Sequence, residues 1–178
     1  MSPQIILRPS TEADIPAIQA IYAHAVLHGT GTFETEVPDA PEMARRRSEV
    51  LSRGLPYLVA EVGGEVTGYA YANYFRPRLA YRYCLEDSIY LAPGARGQGL
   101  GKLLLAELIA RCEDAGGRQM LAVIGDAENK GSIGVHASMG FEHTGVLKSS
   151  GWKFGRWLDV VLMQRQLGPG DSAGPEGA

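Results

Sequence analysis

Arg96-Gly-Gln-Gly-Leu-Gly-Lys102 is the stretch whose reading decides the fold. It follows an apolar run, Ser88-Ile-Tyr-Leu-Ala92, that reads as a strand, and it precedes Leu100 to Cys112, which reads as a helix. Gly97, Gly99 and Gly101 leave the backbone uncovered, so several N–H groups can point at one anion. The start of the helix adds its positive dipole end. A strand, a bare turn and a helix start together make a diphosphate cradle out of main chain. The plainer alternative is a tight turn that opens a helix. Two common nucleotide motifs do not fit. A P-loop needs Ser or Thr after its lysine, and Leu103 follows Lys102. A dinucleotide fingerprint opens the first βα unit and is followed by an acid about 20 residues on. This turn lies mid-chain, and Met120 to Ile124 carries no acid.

Outward from the turn, the chain alternates strand and helix patterns. Gln4 to Arg8 reads as a strand, and Thr11-Glu-Ala-Asp14 resembles a capping box with Asp in place of Glu. Ile15, Ile18, Ile21, Tyr22 and Ala25 recur at helical spacing and predict one buried face. Gly29 to Glu36 is a loop by its glycines and threonines. A second helix runs from about Pro41 to Ser52, and its Arg45-Arg46-Arg47 reads as a solvated face. Tyr57 to Val62 and Val66 to Tyr74 are strands joined as a hairpin at Gly63-Gly64. Phe75 to Tyr81 is a basic, aromatic connection leading to a strand over Arg82 to Leu91. After the turn, the helix continues to Ala115 and closes at Gly116-Gly117. Gln119 to Ile124 is a strand, Asn129 to Met139 a helix stopped by Gly140, and Phe141 to Leu147 and Trp157 to Leu167 are the last strands. Residues from Gly168 onward cannot bury apolar surface and are expected to be disordered. The pattern predicts one α+β (mixed α/β) domain over residues 1–167, with no internal repeat.

Composition narrows the function classes. A chain of 178 residues with 45% hydrophobic and 21% charged content is ordinary for a globular protein that builds its own core. A net charge of −3 gives no nucleic-acid footprint. Cys84 and Cys112 have no metal-ligand spacing and read as free thiols in a reducing compartment. Neither a signal peptide nor a membrane-spanning run is visible, so a cytoplasmic location, without membrane, nucleic acid or metal, is the expectation.

Several side chains invite chemistry. Glu86 is a carboxylate in a strand otherwise rich in apolar and aromatic residues. An apolar cleft raises a carboxyl pKa by desolvation and makes a better base. Asp87 points to the opposite face of a regular strand. His136 titrates near neutrality and is able to give or take a proton. Asn129 is well placed to cap the helix it begins. Arg76 and Arg78 flank Pro77 and either face solvent or bind an anion with their paired donors.

The turn, with Arg96, Gly99 and Gly101 in place, resembles the Arg/Gln-x-x-Gly-x-Gly/Ala turn of the GNAT N-acetyltransferases. Glu86-Asp-Ser-Ile-Tyr-Leu91, Ala122-Val-Ile-Gly125, Asn129, His136, Gly140-Phe141 and Gly155-Arg-Trp-Leu-Asp159 are similar to the phosphinothricin and methionine sulfoximine branch, and the resemblance covers residues 4–167. It implies a GNAT-type fold, a central twisted, mostly antiparallel sheet of about 6–7 strands flanked by about 4 helices. It implies acetyl-CoA as co-substrate, its diphosphate on Arg96, Gly97, Gln98, Gly99, Leu100, Gly101 and Lys102 and its pantetheine arm along the main chain of Ile89, Tyr90 and Leu91, with Asn129 nearby. Glu86 is implied as general base, directly or through water, and His136, where many family members have tyrosine, as a proton carrier able to pair with Glu86. Arg76, Arg78 and Tyr81 are implied to bind a small amino-acid acceptor, with Phe33 and Glu34 on the opposite wall. The Arg82-Tyr-Cys-Leu85 stretch departs from better-known members and leaves the preferred side chain open.

The expected activity is acetyl transfer to the α-amino group of a small amino acid or analogue, by a chain that family resemblance makes a homodimer. A GNAT enzyme acting on a protein amine or an aminoglycoside, and a non-catalytic acyl-CoA sensor, are the alternatives. The aromatic cluster Trp152, Phe154, Trp157 and Leu158 is either core or interface.

Overall fold

A computed structural model describes residues 4–175. Seven strands form one sheet in the order β1-β2-β3-β4-β5-β7-β6. They are β1 (Ile5–Pro9), β2 (Tyr57–Val62), β3 (Glu65–Tyr74), β4 (Cys84–Leu91), β5 (Gln119–Gly125), β6 (Glu142–Lys153) and β7 (Arg156–Gln166). Every neighbouring pair is antiparallel except β4 with β5. The helices are α1 (Ile15–His28), α2 (Ala40–Ser52), α3 (Leu100–Asp114) and α4 (Lys130–Ser138). This is the expected α+β class, with the expected numbers of strands and helices.

The side-chain alternation of a strand assigns the two faces. Tyr57, Tyr69 and Tyr71 stack on one face, and Tyr22 of α1 meets Tyr90 edge-on at 5.0 Å. On the other face Leu100, Leu104, Leu105, Leu108 and Cys112 of α3 are buried against Leu85, Ala70 and Met120. The helical periodicity of α1 is realised: Ile15, Ile18, Ile21, Tyr22 and Ala25 are all buried. Its entry is held by Asp14, whose carboxylate accepts from the Thr11 N–H at 2.7 Å and from the Arg8 guanidinium at 2.8 Å.

One feature of the ladder positions the site. β4 and β5 pair only through Cys84↔Gln119, Leu85↔Met120 and Glu86↔Leu121. Beyond Glu86 the two strands part, and the β4 edge from Asp87 to Leu91 has no strand beside it on that side.

Two expectations need correction, and two further segments are placed. β6 extends to Lys153, past the predicted end at Leu147, because Gly151, Trp152 and Lys153 resume pairing with β7 after an irregularity at Leu147/Gly151. Its Ser149 and glycine mask that continuation in the sequence. The Arg45-Arg46-Arg47 run is only partly a solvated face: Arg46 donates to Glu34 and Glu42, and Arg47 to Ser10. Over the described part of the tail Arg118 donates to the carbonyls of Gly170, Ala173 and Gly174; the last three residues lie outside the described ones. Trp152, Phe154 and Trp157 are exposed, and of that cluster only Leu158 is core.

Candidate active site

The parting of β4 and β5 opens a cleft of about 1060 Å³. Its walls include Ile89, Tyr90 and Leu91 of β4, Ala122 to Gly125 of β5, the turn at Arg96 to Lys102, Asn129 and His136 at α4, and Thr30 to Phe33 from the loop after α1. The two sides of the cleft are built differently.

The turn side is main chain. Gly97 and Gly99 have φ of +75° and +79°, the left-handed region that side chains other than glycine rarely adopt. Gly99 is the N-cap of α3, and no side chain caps that helix. Its first N–H groups are therefore left for a ligand. A Cβ at Gly101 would meet only Leu91 Cδ1, at 3.6 Å, so nothing in the fold demands glycine there; a close-lying ligand would. Gln98, expected in the cradle, turns its side chain back to donate to the Gly94 carbonyl and does not line the cleft. Asn129 caps α4, its Oδ1 accepting from the Ser132 N–H at 3.2 Å, so its capping role is realised while it also faces the cleft.

The opposite side is made of side chains. Glu86 is partly buried, at the last rung before the strands part, beside Tyr71 and Phe33 in the cleft wall. Burial, and then the neighbouring Asp87 charge, push its carboxyl pKa up to about 7, with Arg76 opposing. Arg76 itself is exposed and lies over the Phe75 ring at 4.9 Å. Arg78 is exposed ahead of a 3-10 turn over Leu79–Tyr81, and Tyr81 packs edge-on against Phe75 at 6.0 Å. Arg76, Arg78 and Tyr81, expected at the acceptor, do not line the cleft; of the three, Arg76 lies close enough to Glu86 for its charge to oppose the raised pKa. Glu34 is turned away, paired to Arg46 at 2.6 Å.

His136 corrects the expected Glu86 pairing. Its Nε2 lies 2.9 Å from Asp87 Oδ2, and its Nδ1 donates to the Ser132 carbonyl at 2.7 Å. The alternation of a strand explains this: Glu86 faces the α1–α2 layer, and Asp87 faces α3 and α4. Burial works against the imidazolium, but the Asp87 hydrogen bond and charge outweigh it, so the His136 pKa stands above its ordinary value.

Sequence reasoning missed the fastening of the Thr30–Phe33 wall. Lys153, buried in the β6–β7 hairpin, donates to the carbonyls of Gly29 and Thr32, both at 2.8 Å. Asp126 accepts from Thr30 Oγ1 and from Arg156. Phe33 fits where Gly125 and Gly151 have no side chains; a Cβ at Gly151 would come within 2.3 Å of its ring. A lone lysine inside the aromatic run Trp152-Lys-Phe154 is the signal that was there to be read.

Known proteins are similar to this chain in sequence and fold. The Acetyltransferase (GNAT) family model matches residues 19–141. Phosphinothricin N-acetyltransferase of Alcaligenes faecalis is 56% identical over 170 residues, 96% of this chain and 86% of that protein. L-methionine sulfoximine/L-methionine sulfone acetyltransferase of Salmonella typhimurium is 39% identical, over 90% of this chain and 94% of that protein. The crystal structure of a GNAT superfamily phosphinothricin acetyltransferase from Sinorhizobium meliloti, in complex with acetyl-CoA, superposes with a TM-score of 0.95 at 49% identity, covering 100% of this chain and 96% of that one. The chain therefore belongs to the GNAT acetyltransferase family, in its phosphinothricin and methionine sulfoximine branch.

Proposed function

We propose that this protein transfers the acetyl group of acetyl-CoA to the α-amino group of a small amino acid or analogue of the phosphinothricin and methionine sulfoximine type. The observation that carries the reading is the cleft itself, with an uncapped glycine turn at one end and a carboxylate held near neutrality at the other. The turn suits a diphosphate, because bare N–H groups and a helix start favour negative charge there. Lys102 and Arg96 add charge at its rim. The free β4 edge from Ile89 to Leu91 suits an amide-bearing arm lying alongside as an extra strand. When bound there, acetyl-CoA supplies an activated thioester.

The acceptor amine must lose a proton to attack that carbonyl, and an α-amino group has a pKa of about 8. Glu86, with its raised pKa of about 7, is a better base for this than an ordinary carboxylate. It takes the proton directly or through one water, the new C–N bond replaces the C–S bond in one transfer, and the sulfur leaves as the thiol or thiolate. Arg76, whose charge reaches Glu86, and Arg78 on the same connection would meet the anionic end of the acceptor, because a guanidinium fork pairs well with carboxylate or phosphinate. Such a basic approach disfavours cationic aminoglycosides. A homodimer covering the exposed Trp152 and Trp157 belongs to this reading and is measured by sedimentation.

A thiol-release assay with acetyl-CoA and a panel of amines tests the function. Phosphinothricin, methionine sulfoximine or methionine sulfone should be acetylated far faster than kanamycin or a peptide amine. Acetyl-CoA binding with no release on any amine would favour a sensor and overturn the enzyme reading.

A further inference from the structure

Glu86 accounts for the proposed proton transfer and leaves its neighbour unexplained. The Asp87 side chain is only 2% exposed. It is the first β4 residue past the last β4–β5 rung, Glu86↔Leu121, where the cleft begins. Across that point its Oδ2 meets His136 of α4, the helix that follows β5. The hydrogen bond therefore joins the two arms of the opening at their apex.

The protons can be counted. His136 Nδ1 faces the Ser132 carbonyl at 2.7 Å and Nε2 faces Asp87 at 2.9 Å, so both ring nitrogens face acceptors. A neutral imidazole carries one N–H and satisfies one of them; the imidazolium satisfies both. A buried carboxylate also needs a cation beside it, since an isolated one is costly to desolvate. Asp87 Oδ1 is buried without a protein partner, which leaves His136 as the group that answers this charge among the described residues. The other titratable groups around the pair do not supply one. Cys112 of α3 is buried and its thiol is pushed up to about 12, chiefly by burial. Glu86, next along β4, repels Asp87, and around Glu86 stand Arg76 from the β3–β4 connection, Tyr71 of β3 and Cys84 of β4.

We propose that Asp87 is a positioning residue for acyl transfer that acts through His136: the ion pair pins α4 to β4 at the apex of the cleft and holds the ring as a fixed cation. Both N–H bonds of that ring are spent inside the protein, so Glu86 exchanges the proton with the acceptor. The kinetic half of this inference rests on the acetyltransferase reading; the state of the pair does not.

Two measurements on the full chain with CoA bound separate those halves. The first is an NMR titration of the four histidine rings, with His136→Gln to assign the signal. His136 should stay doubly protonated through neutral pH, and Asp87→Asn should let it lose that proton at lower pH. A wild-type His136 that titrates at its ordinary value, or one unmoved by Asp87→Asn, overturns the proposal. Because wild type alone decides this point, it stands even if Asp87→Asn fails to fold, and even if no amine proves to be a substrate. The second is kinetic. Misplacing a reacting group by about 1 Å costs on the order of 100-fold, so Asp87→Asn should lower kcat by that order with the acceptor KM little changed. Its acid limb should move part of the way to lower pH: burial, the larger cause of the raised Glu86 pKa, remains, and the Asp87 charge, the smaller one, is gone. Asp87→Glu, which keeps the charge, should recover part of the rate. The Asp87→Asn/His136→Gln double variant should be no slower than the slower single, because both remove one device. Fully additive losses would overturn the claim that Asp87 works through His136.

Discussion

The two ends of the cleft differ in the material they are made from. The end proposed for the cofactor is backbone: a continuous seven-residue stretch in which Gly97 and Gly99 sit at left-handed φ and the helix start lacks a side-chain cap. The end proposed for the acceptor is side chain, assembled from the loop after α1, β3, β4 and the β6–β7 hairpin. A backbone site is local and tolerates change in most side chains, provided that the chain can bend and nothing protrudes. A side-chain site depends on which distant residues the fold brings together. The first kind holds a common cofactor across a family, and the second is free to select the acceptor.

Mutations should divide along that line. The largest effect belongs to Glu86→Gln. Removing a general base costs about 100- to 10,000-fold in turnover, while acetyl-CoA affinity, measured by calorimetry, should hold. At the other end, Gly101→Val should weaken acetyl-CoA binding by about 10- to 100-fold, the equivalent of one charge-assisted hydrogen bond. Its Cβ meets only Leu91, so the melting temperature should change little. Gly99→Val, by contrast, forces a side chain into φ of +79° and should lower both affinity and stability. Unchanged acetyl-CoA affinity in Gly101→Val would break the assignment of a main-chain cradle.

Arg76→Ala and Arg78→Ala sharpen the comparison from the acceptor side. Each should raise the acceptor KM by about 10- to 100-fold and leave acetyl-CoA binding alone; equal losses for both ligands would point to the fold. The smallest effect is expected from Lys153→Met. It leaves the Gly29 and Thr32 carbonyls without their donor, at a cost of about 1–3 kcal/mol in urea unfolding. If that wall borders the acceptor as proposed, the acceptor KM should rise more than the acetyl-CoA KM.

The same division explains what the sequence disclosed. The turn was legible because its constraints are local: glycine where φ is positive, a helix directly after, a strand directly before. The α1 face and the Gly63-Gly64 hairpin were legible for the same reason, through period and turn chemistry. The partner of His136 was not. Alternation places Asp87 on the face opposite Glu86, and the sequence carries that fact; that α4 crosses this face is a property of the packed fold. The extension of β6 to Lys153 is likewise set by its pairing with β7, against local signals at Ser149 to Gly151 that read as loop. Lys153 and Asp126 reach the Gly29–Thr32 loop across more than ninety residues of chain. No spacing rule connects such positions.

The central claim, that a desolvated carboxylate at the apex of the cleft takes the proton from the acceptor amine, is tested most directly by the pH dependence of kcat/KM for the acceptor in wild type and Glu86→Gln. A carboxyl pKa raised to about 7 means that the base form is lost as pH falls through that value and gained as pH rises. The wild-type rate should therefore climb through one apparent pKa near neutrality and level off. That value belongs to Glu86 together with its charged neighbours. Glu86→Gln should lack the limb and become active only as the amine itself deprotonates, at about pH 8 or higher. A Glu86→Gln profile that keeps the wild-type limb and near wild-type turnover at neutral pH would contradict the account and move the base elsewhere.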